Sequence, residues 1–249
     1  MKSSAWIKQF HPKGDAEDLV VCFPHAAGSA GYYFPLSAAM PPSIDMLTIQ
    51  YPGRQDRRDE PLIDSVDELA DQIAEVVMGW SHKPMTLFGH SMGASVAFEV
   101  ALRLETKGIT LTSLVVSGRR APSTRRVERS HLGSDTMLIA DLRKLGGMPE
   151  QLLDDEEFVR MLLPVLRNDL RAAETYEPQS GGGLRSPILA LAGDSDPKVS
   201  VHEVKAWETH TRGSFEFRMM PGGHFPSGDE HVAIAGLISE QIMSTMVPW

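Results

Sequence analysis

The stretch LFGHSMGASVAFE, residues 87–99, sets Ser91 between two glycines with one residue on either side. An apolar run precedes it and a helical pattern follows, so a strand ending near Gly89 must become a helix by Gly93 within a very tight turn. Such a turn forces its central residue into a strained backbone conformation, and bulk on either flank would clash. Glycine at both flanks satisfies that demand. The turn lifts a hydroxyl beyond the carboxyl end of the sheet, where open α/β folds bind ligands. The N-terminus of the following helix points its unpaired amides at the same place. This is the geometry of a nucleophile elbow, and the flanking strand and helix give the short pattern its weight.

Outward from that motif, short apolar runs recur: LVVCFP (19–24), DMLTIQ (45–50), MTLFG (85–89), SLVVSG (113–118), PILALAG (187–193) and FEFRMM (215–220). Most lack period-two alternation, as expected where both faces of a parallel sheet are covered. Helical patterns lie between them. SVDELADQIAEVV starts at Ser65 with Glu68 placed to complete a capping box, and the helix over 93–107 carries Val96, Val100 and Leu104 on one stripe before Gly108. Strand and helix in repetition predict an α/β fold with a mostly parallel sheet and helices on both faces. The rhythm fails over 119–184, which reads as a helical insertion. One helix is capped by Ser134 and ended by Gly146 and Gly147. A longer one starts at Asp154 or Asp155, carries Phe158, Met161, Leu162, Val165 and Leu166 on one face, and is kinked at Pro164. The glycines 181–183 lead back to the sheet. The core is therefore 1–118 with 185–249, and 119–184 is an inserted helical lid whose apolar face packs and also lines a substrate chamber.

A serine is a poor nucleophile without a base and an orienting acid. In α/β-hydrolases the order along the chain is serine, acid, histidine. The loop GDSDP after the fifth run offers Asp194 and Asp196. Asp194, directly at the strand end, suits a turn-stabilising role, and Asp196 is better placed to reach a histidine. PGGHF after the sixth run supplies His224; His231 is its nearest rival, while His25 and His90 stand on the wrong side of the chain order. The oxyanion donors are expected to be the backbone amides of Met92, which follows the nucleophile, and Ala26, in the small-residue loop HAAGSAG.

FPHAAGSAGYYFPL, IQYPGRQDRRDEP, LFGHSMGASVAFEVALRL, LAGDSDP and PGGHF occur in the order seen in type II thioesterases, the editing hydrolases of polyketide and nonribosomal peptide synthetases. The resemblance spans nearly the whole chain, with LGGMPEQLL and LPVLRNDLRAAETY similar to that family's lid. It carries the family's triad onto Ser91, Asp196 and His224, and its oxyanion amides onto Ala26 and Met92. Ala27 stands where the family usually has a glycine, and a Cβ restricts access to positive φ. The resemblance implies the α/β-hydrolase fold. It also implies hydrolysis of acyl thioesters on the phosphopantetheine arm of an acyl or peptidyl carrier protein, releasing stalled or mis-primed acyl groups. The alternatives are a carboxylesterase or lipase acting on free esters, a free acyl thioesterase, or an interaction protein that has lost turnover.

Composition narrows the field further. The 249 residues are 42% hydrophobic and 23% charged, ordinary for a globular domain able to bury a large core. The net charge of -9 argues against nucleic-acid binding. No apolar run suggests a signal core or a membrane span, and the single cysteine, Cys22, fits a reducing compartment. The expectation is a cytoplasmic monomer that uses no metal or cofactor and meets a carrier protein, not nucleic acid or a membrane. GRRAPSTRRVER, with Arg119, Arg120, Arg125, Arg126 and Arg129, and PGRQDRR, with Arg54, Arg57 and Arg58, are the stretches able to offer an acidic carrier a local basic patch.

Overall fold

The apolar runs pair into one seven-stranded sheet in the computed structural model, which describes residues 5–178 and 183–246. In chain order the elements are β1 (Ile7–Lys8), β2 (Asp18–Phe23), α1 (Phe34–Ala39), β3 (Ile44–Ile49), α2 (Val66–Met78), β4 (Met85–His90), α3 (Met92–Thr106), β5 (Ser113–Ser117), α4 (Asp135–Leu145), α5 (Glu150–Leu153), α6 (Glu156–Thr175), β6 (Ile188–Gly193), α7 (Val201–Lys205), β7 (Phe215–Met220) and α8 (Gly228–Met246). The strand order is β1-β3-β2-β4-β5-β6-β7. The six predicted strands are parallel to their neighbours. Only β1, a two-residue edge strand absent from the sequence reading, runs antiparallel, pairing Ile7 with Ile49.

Coverage on both faces explains the missing alternation. Leu19, Val21 and Phe23 of β2 pack with α2 and α3, while Val20 and Cys22 pack with Leu36 of α1 and Ile234 and Ile238 of α8. Every residue of β2, β3, β4 and β5 is buried. Helix α3 runs through the centre and is buried nearly all round, well beyond the predicted stripe of Val96, Val100 and Leu104. Ser65 caps α2 by accepting from the Glu68 amide at 3.3 Å. The reciprocal half of the predicted box gives way to a contact of the Glu68 carboxylate with the Gln72 amide group at 3.4 Å.

Helices α4, α5 and α6 all lie between β5 and β6, with no strand among the described residues there. Their leucines, Leu138, Leu142, Leu153, Leu162 and Leu166, form a separate apolar cluster. Ser134 caps α4 and Asp155 caps α6, the latter accepting from the amides of Glu157 and Phe158 at 2.9 and 3.2 Å. Pro164 does not end α6. The buried face of α6 is rotated from the predicted one: Met161 is 62% exposed, and Leu162, Leu166, Asp169 and Ala173 are buried. These positions follow the i, i+4, i+7, i+11 spacing of a helix face, with a carboxylate on it. Of the glycine run, residues 181 and 182 lie outside the described residues. No helix among the described residues is long and apolar enough to cross a membrane.

Candidate active site

Three strand ends bring the predicted residues together. Ser91 follows β4 and caps α3 with φ 53° and ψ -121°, a left-handed backbone on a residue that carries a Cβ. Its amide is held by the Ser117 carbonyl at 2.8 Å. A Cβ on Gly89 would stand 2.3 Å from the Gly93 carbonyl oxygen, and one on Gly93 would stand 2.0 Å from that of Phe23. The clash expected for bulk beside the turn is thus with backbone on both sides.

Asp196 comes from the loop after β6 and His224 from the loop after β7. The Ser91 hydroxyl is 3.1 Å from His224 Nε2, and His224 Nδ1 is 2.8 Å from Asp196 Oδ2. Asp196 is further fixed by the Lys198 amide, which donates to Oδ1 at 2.8 Å. The side chains of His224 and Asp196 are 4% and 1% exposed, so their contact is shielded from water. This orients the imidazole with Nδ1 as donor and Nε2 free to accept from a hydroxyl. Asp194 turns elsewhere and accepts the Gly222 amide at 3.1 Å, supporting the loop that presents His224.

The other histidines do not reach Ser91. His25 Nδ1 meets the Tyr33 hydroxyl at 3.0 Å, and His90 Nδ1 meets the Ser117 hydroxyl at 3.1 Å. Both rings lie near His224 or its neighbour Phe225. Burial, then the proximity of His224, lowers the pKa of His25 to about 3 and holds His90 well below the ordinary histidine value. They stay neutral beside His224 and add no competing positive charge. His231 sits in the first turn of α8, buried against Tyr32.

Met92 opens α3, so its amide has no carbonyl one turn earlier to bond. The Ala26 amide lacks a backbone acceptor among the described residues. Ala26 and Ser91 border one cavity of about 60 Å³, roofed by Leu138, Leu142 and Leu145 of α4 and Leu166 and Leu170 of α6, with His224 and Phe225 at its side. Larger cavities, of about 300, 430 and 90 Å³, lie off this chemistry, at the arginine-rich segment, between α4 and α6, and beside α8 and β7. Ala27 takes φ 59° despite its Cβ, so the loop adopts the conformation that a glycine would allow more readily. No group of three or more metal-ligating side chains occurs among the described residues.

The arginines largely serve the protein itself. Arg54 and Arg57, grouped in the sequence as patch residues, are 7% and 5% exposed. Arg54 pairs with Asp169, and Arg57 pairs with Glu60 at 2.5 Å and lies 4.0 Å over the Trp6 ring. Arg119 donates to the Ser95 hydroxyl and the Ala173 carbonyl, Arg120 pairs with Glu128 at 2.8 Å, and Arg126 pairs with Glu203 at 2.5 Å. Arg58 and Arg125 are solvent-facing, at 79% and 75% side-chain exposure, and make only long, exposed ion pairs with Asp59 at 3.8 Å and Glu177 at 3.7 Å. Asp169 itself was missed by the sequence reading. Its only signal was its position on the apolar stripe, seven residues after Leu162.

A thioesterase domain model matches residues 19–242. The chain is 45% identical to thioesterase PikA5 of Streptomyces venezuelae over 98% of this chain and 87% of that protein. The structure of the type II thioesterase BorB, from the borrelidin biosynthetic cluster, superposes with a TM-score of 0.90 at 48% identity, covering 97% of this chain and 99% of BorB. RedJ, the thioesterase of the prodiginine pathway in Streptomyces coelicolor, superposes with a TM-score of 0.87 at 33% identity over 92% of each chain. Sheet topology, elbow and these likenesses together make the chain a member of the thioesterase family with the α/β-hydrolase fold, among the type II thioesterases of polyketide and nonribosomal peptide biosynthesis.

Proposed function

We propose that Ser91, His224 and Asp196 form the catalytic triad of a hydrolase that removes stalled or mis-primed acyl groups from the phosphopantetheine arm of an acyl or peptidyl carrier protein. The contact from Ser91 to His224 to Asp196, inside the fold of a type II thioesterase, carries this reading. His224 Nε2 takes the hydroxyl proton as Ser91 Oγ attacks the thioester carbonyl. The amides of Ala26 and Met92 receive the oxyanion. The tetrahedral intermediate collapses with departure of the pantetheine sulfur, which takes the proton from His224. A simple thiol has a pKa near about 8.5, so this departure needs less acid assistance than loss of an amine. Water, deprotonated by His224, then attacks the acyl-serine and frees the acid, returning the proton to Ser91.

The roof of α4 and α6 over Ser91 supports reading 119–184 as a lid on a core of 1–118 and 185–249. The leucines of α4 and α6 that line the cavity beside Ser91 suit the apolar part of an acyl group. The buried lone thiol of Cys22 supports a cytoplasmic, reducing setting. For carrier docking, Arg125 is the candidate contact, its side chain 75% exposed and 3.7 Å from the equally exposed Glu177, which a carrier would have to displace, and the enzyme is read as a monomer.

The test is acid release from an acetyl- or propionyl-loaded carrier, with Ser91→Ala and a simple aryl ester alongside. The expected result is rapid release that depends on Ser91 and strongly prefers the carrier thioester. Release from the aryl ester alone would move the function to a free-ester hydrolase. Turnover by Ser91→Ala would overturn the triad assignment. Arg125→Glu should raise KM for the carrier substrate and spare a small free thioester; equal effects on both refute the docking contact.

A further inference from the structure

We propose that Asp169, on α6, is a positioning residue that sets the oxyanion loop, so that the helical insertion itself helps to build the catalytic site. The inference rests on Ser91 as nucleophile and on the Ala26 amide as oxyanion donor. Asp169 Oδ2 accepts the Ala27 amide at 2.7 Å across 142 residues of chain. Ala27 directly follows Ala26, and its φ of 59° is one that residues with a Cβ rarely adopt. A charge-assisted bond to that amide fixes the peptide plane between Ala26 and Ala27. That plane constrains the direction of the Ala26 amide on the other side of the same α-carbon. Asp169 is 1% exposed, so this bond is made out of contact with bulk solvent.

Arg54 completes the arrangement. Its guanidinium bonds the same Asp169 oxygen and donates to the Pro52 carbonyl at 2.6 Å. It lies 5.3 Å over the Tyr51 ring, and the Tyr51 hydroxyl donates to the Pro24 carbonyl at 3.1 Å. The loop is therefore held on both sides of Ala26, at Pro24 through Tyr51 and at Ala27 through Asp169. A lone buried carboxylate so near the hole would oppose an oxyanion; pairing with Arg54 cancels its charge while leaving its acceptor geometry intact. On the insertion side, the neighbouring Asn168 donates to the Ile63 carbonyl at 2.8 Å, and Ala27 packs on the leucine cluster of α4 to α6. Displacement of α6 would release the Ala27 amide together with the roof of the chamber.

The experiment compares Asp169→Asn and Asp169→Glu with the wild type, measuring kcat and KM for a small acyl thioester. It also measures the affinity of an alkyl boronic acid, whose boron accepts the Ser91 oxygen and presents a tetrahedral oxygen to the hole. Loosening one donor should lower kcat about tenfold or more, change KM less than threefold, and weaken the boronic acid in proportion to kcat. Adding Ala27→Gly, which enters positive φ without the Cβ penalty, should restore part of kcat in the Asp169→Asn background. A purely structural role would lower melting temperature and give no such rescue. If Asp169→Asn does not fold, Asp169→Glu keeps the ion pair and moves the acceptor, and carries the same expectation. Folded variants with wild-type kcat and boronic-acid affinity, or with a change in KM alone, overturn the inference. Ser91→Ala as control separates the outcomes: an inactive control with a neutral Asp169 variant rejects only the positioning role.

Discussion

Gly93→Ala adds one methyl group at the point where the elbow helix meets the oxyanion loop. The new Cβ would lie 2.0 Å from the Phe23 carbonyl oxygen and 2.6 Å from that of Pro24. Both obstacles are backbone, so no side chain can swing away, and relief requires α3 and the 23–26 loop to part by more than about 1 Å to restore ordinary contact distances. Overpacking of this kind costs about 1–3 kcal/mol. At roughly 2–4 °C per kcal/mol for a chain of this size, the melting temperature should fall by about 2–12 °C. Activity should suffer more than stability, because the two proposed oxyanion donors lie on opposite sides of the opening gap, Met92 on the helix and Ala26 on the loop. Loss of one such donor costs about 100- to 1000-fold in kcat.

The assay is thioester hydrolysis well below the melting temperature, with thermal unfolding followed in parallel. KM should change little, since the amides act on the tetrahedral state rather than on the bound ground state. Gly236→Ala provides the control. That glycine lies in α8 with nothing within 4 Å of a built Cβ, so the same methyl should be neutral or stabilising by about 0.4–1 kcal/mol. A folded Gly93→Ala enzyme with wild-type kcat would refute the placement of the oxyanion hole between these two segments.

Three further outcomes follow from other parts of the site. Asp196→Asn should lower kcat by about 10⁴, because an amide that donates to His224 Nδ1 leaves the proton on Nε2, which then cannot accept from Ser91, whereas Asp194→Asn should cost less than tenfold because Asp194 accepts the Gly222 amide and not His224; steady-state kinetics on both decides which acid serves His224. His25, with its folded pKa lowered to about 3 against an unfolded value near about 6.5, leaves the unfolded chain binding the extra proton between those limits. Its stabilisation is therefore complete above about pH 6.5 and falls by up to about 1.4 kcal/mol per pH unit on acidification, with His90 acting in the same direction. Urea midpoints measured from pH 7.5 to 5 should fall on acidification, and His25→Gln should flatten the slope; an unchanged slope refutes the assignment. Leu142→Ala should enlarge the chamber and shift kcat/KM toward longer acyl chains, by roughly fourfold for each additional methylene buried at about 0.8 kcal/mol, as measured with a propionyl-to-hexanoyl series.

What the sequence disclosed was local or periodic. The elbow is a contiguous pattern whose strand, turn and helix constrain one another, so Ser91 could be placed before any coordinate. The meeting of Asp196 and His224 was legible because each follows a recognisable strand, β6 buried and β7 half-exposed at the sheet edge, and parallel strands deliver their following loops to the same sheet edge. The edge strand β1 was invisible because two residues have no period. The face of α6 was misread by one position: Met161 fits an apolar pattern as well as Leu162 does, and only packing against α4 and α5 selects between them.

The buried charges mark a different limit. Arg54 belongs to a stretch dense in arginine and reads as solvated charge. Its partner lies 115 residues away, on a helix whose pattern identifies it as ordinary amphipathic structure. Burying an arginine and an aspartate is costly unless the two pair with each other. Here they pair around an alanine held in a left-handed conformation, next to the proposed oxyanion donor; Arg54 also donates to the Pro52 carbonyl, while its Nε has no partner among the described residues. Ala27 in place of glycine therefore acquires a physical meaning that the motif alone does not contain. The substitution makes the loop stiffer and its left-handed turn costlier, and the carboxylate from α6 supplies the bond that keeps it in place. A helix inserted between β5 and β6 thus reaches the catalytic loop directly, which couples the position of the chamber's roof to the geometry of its floor.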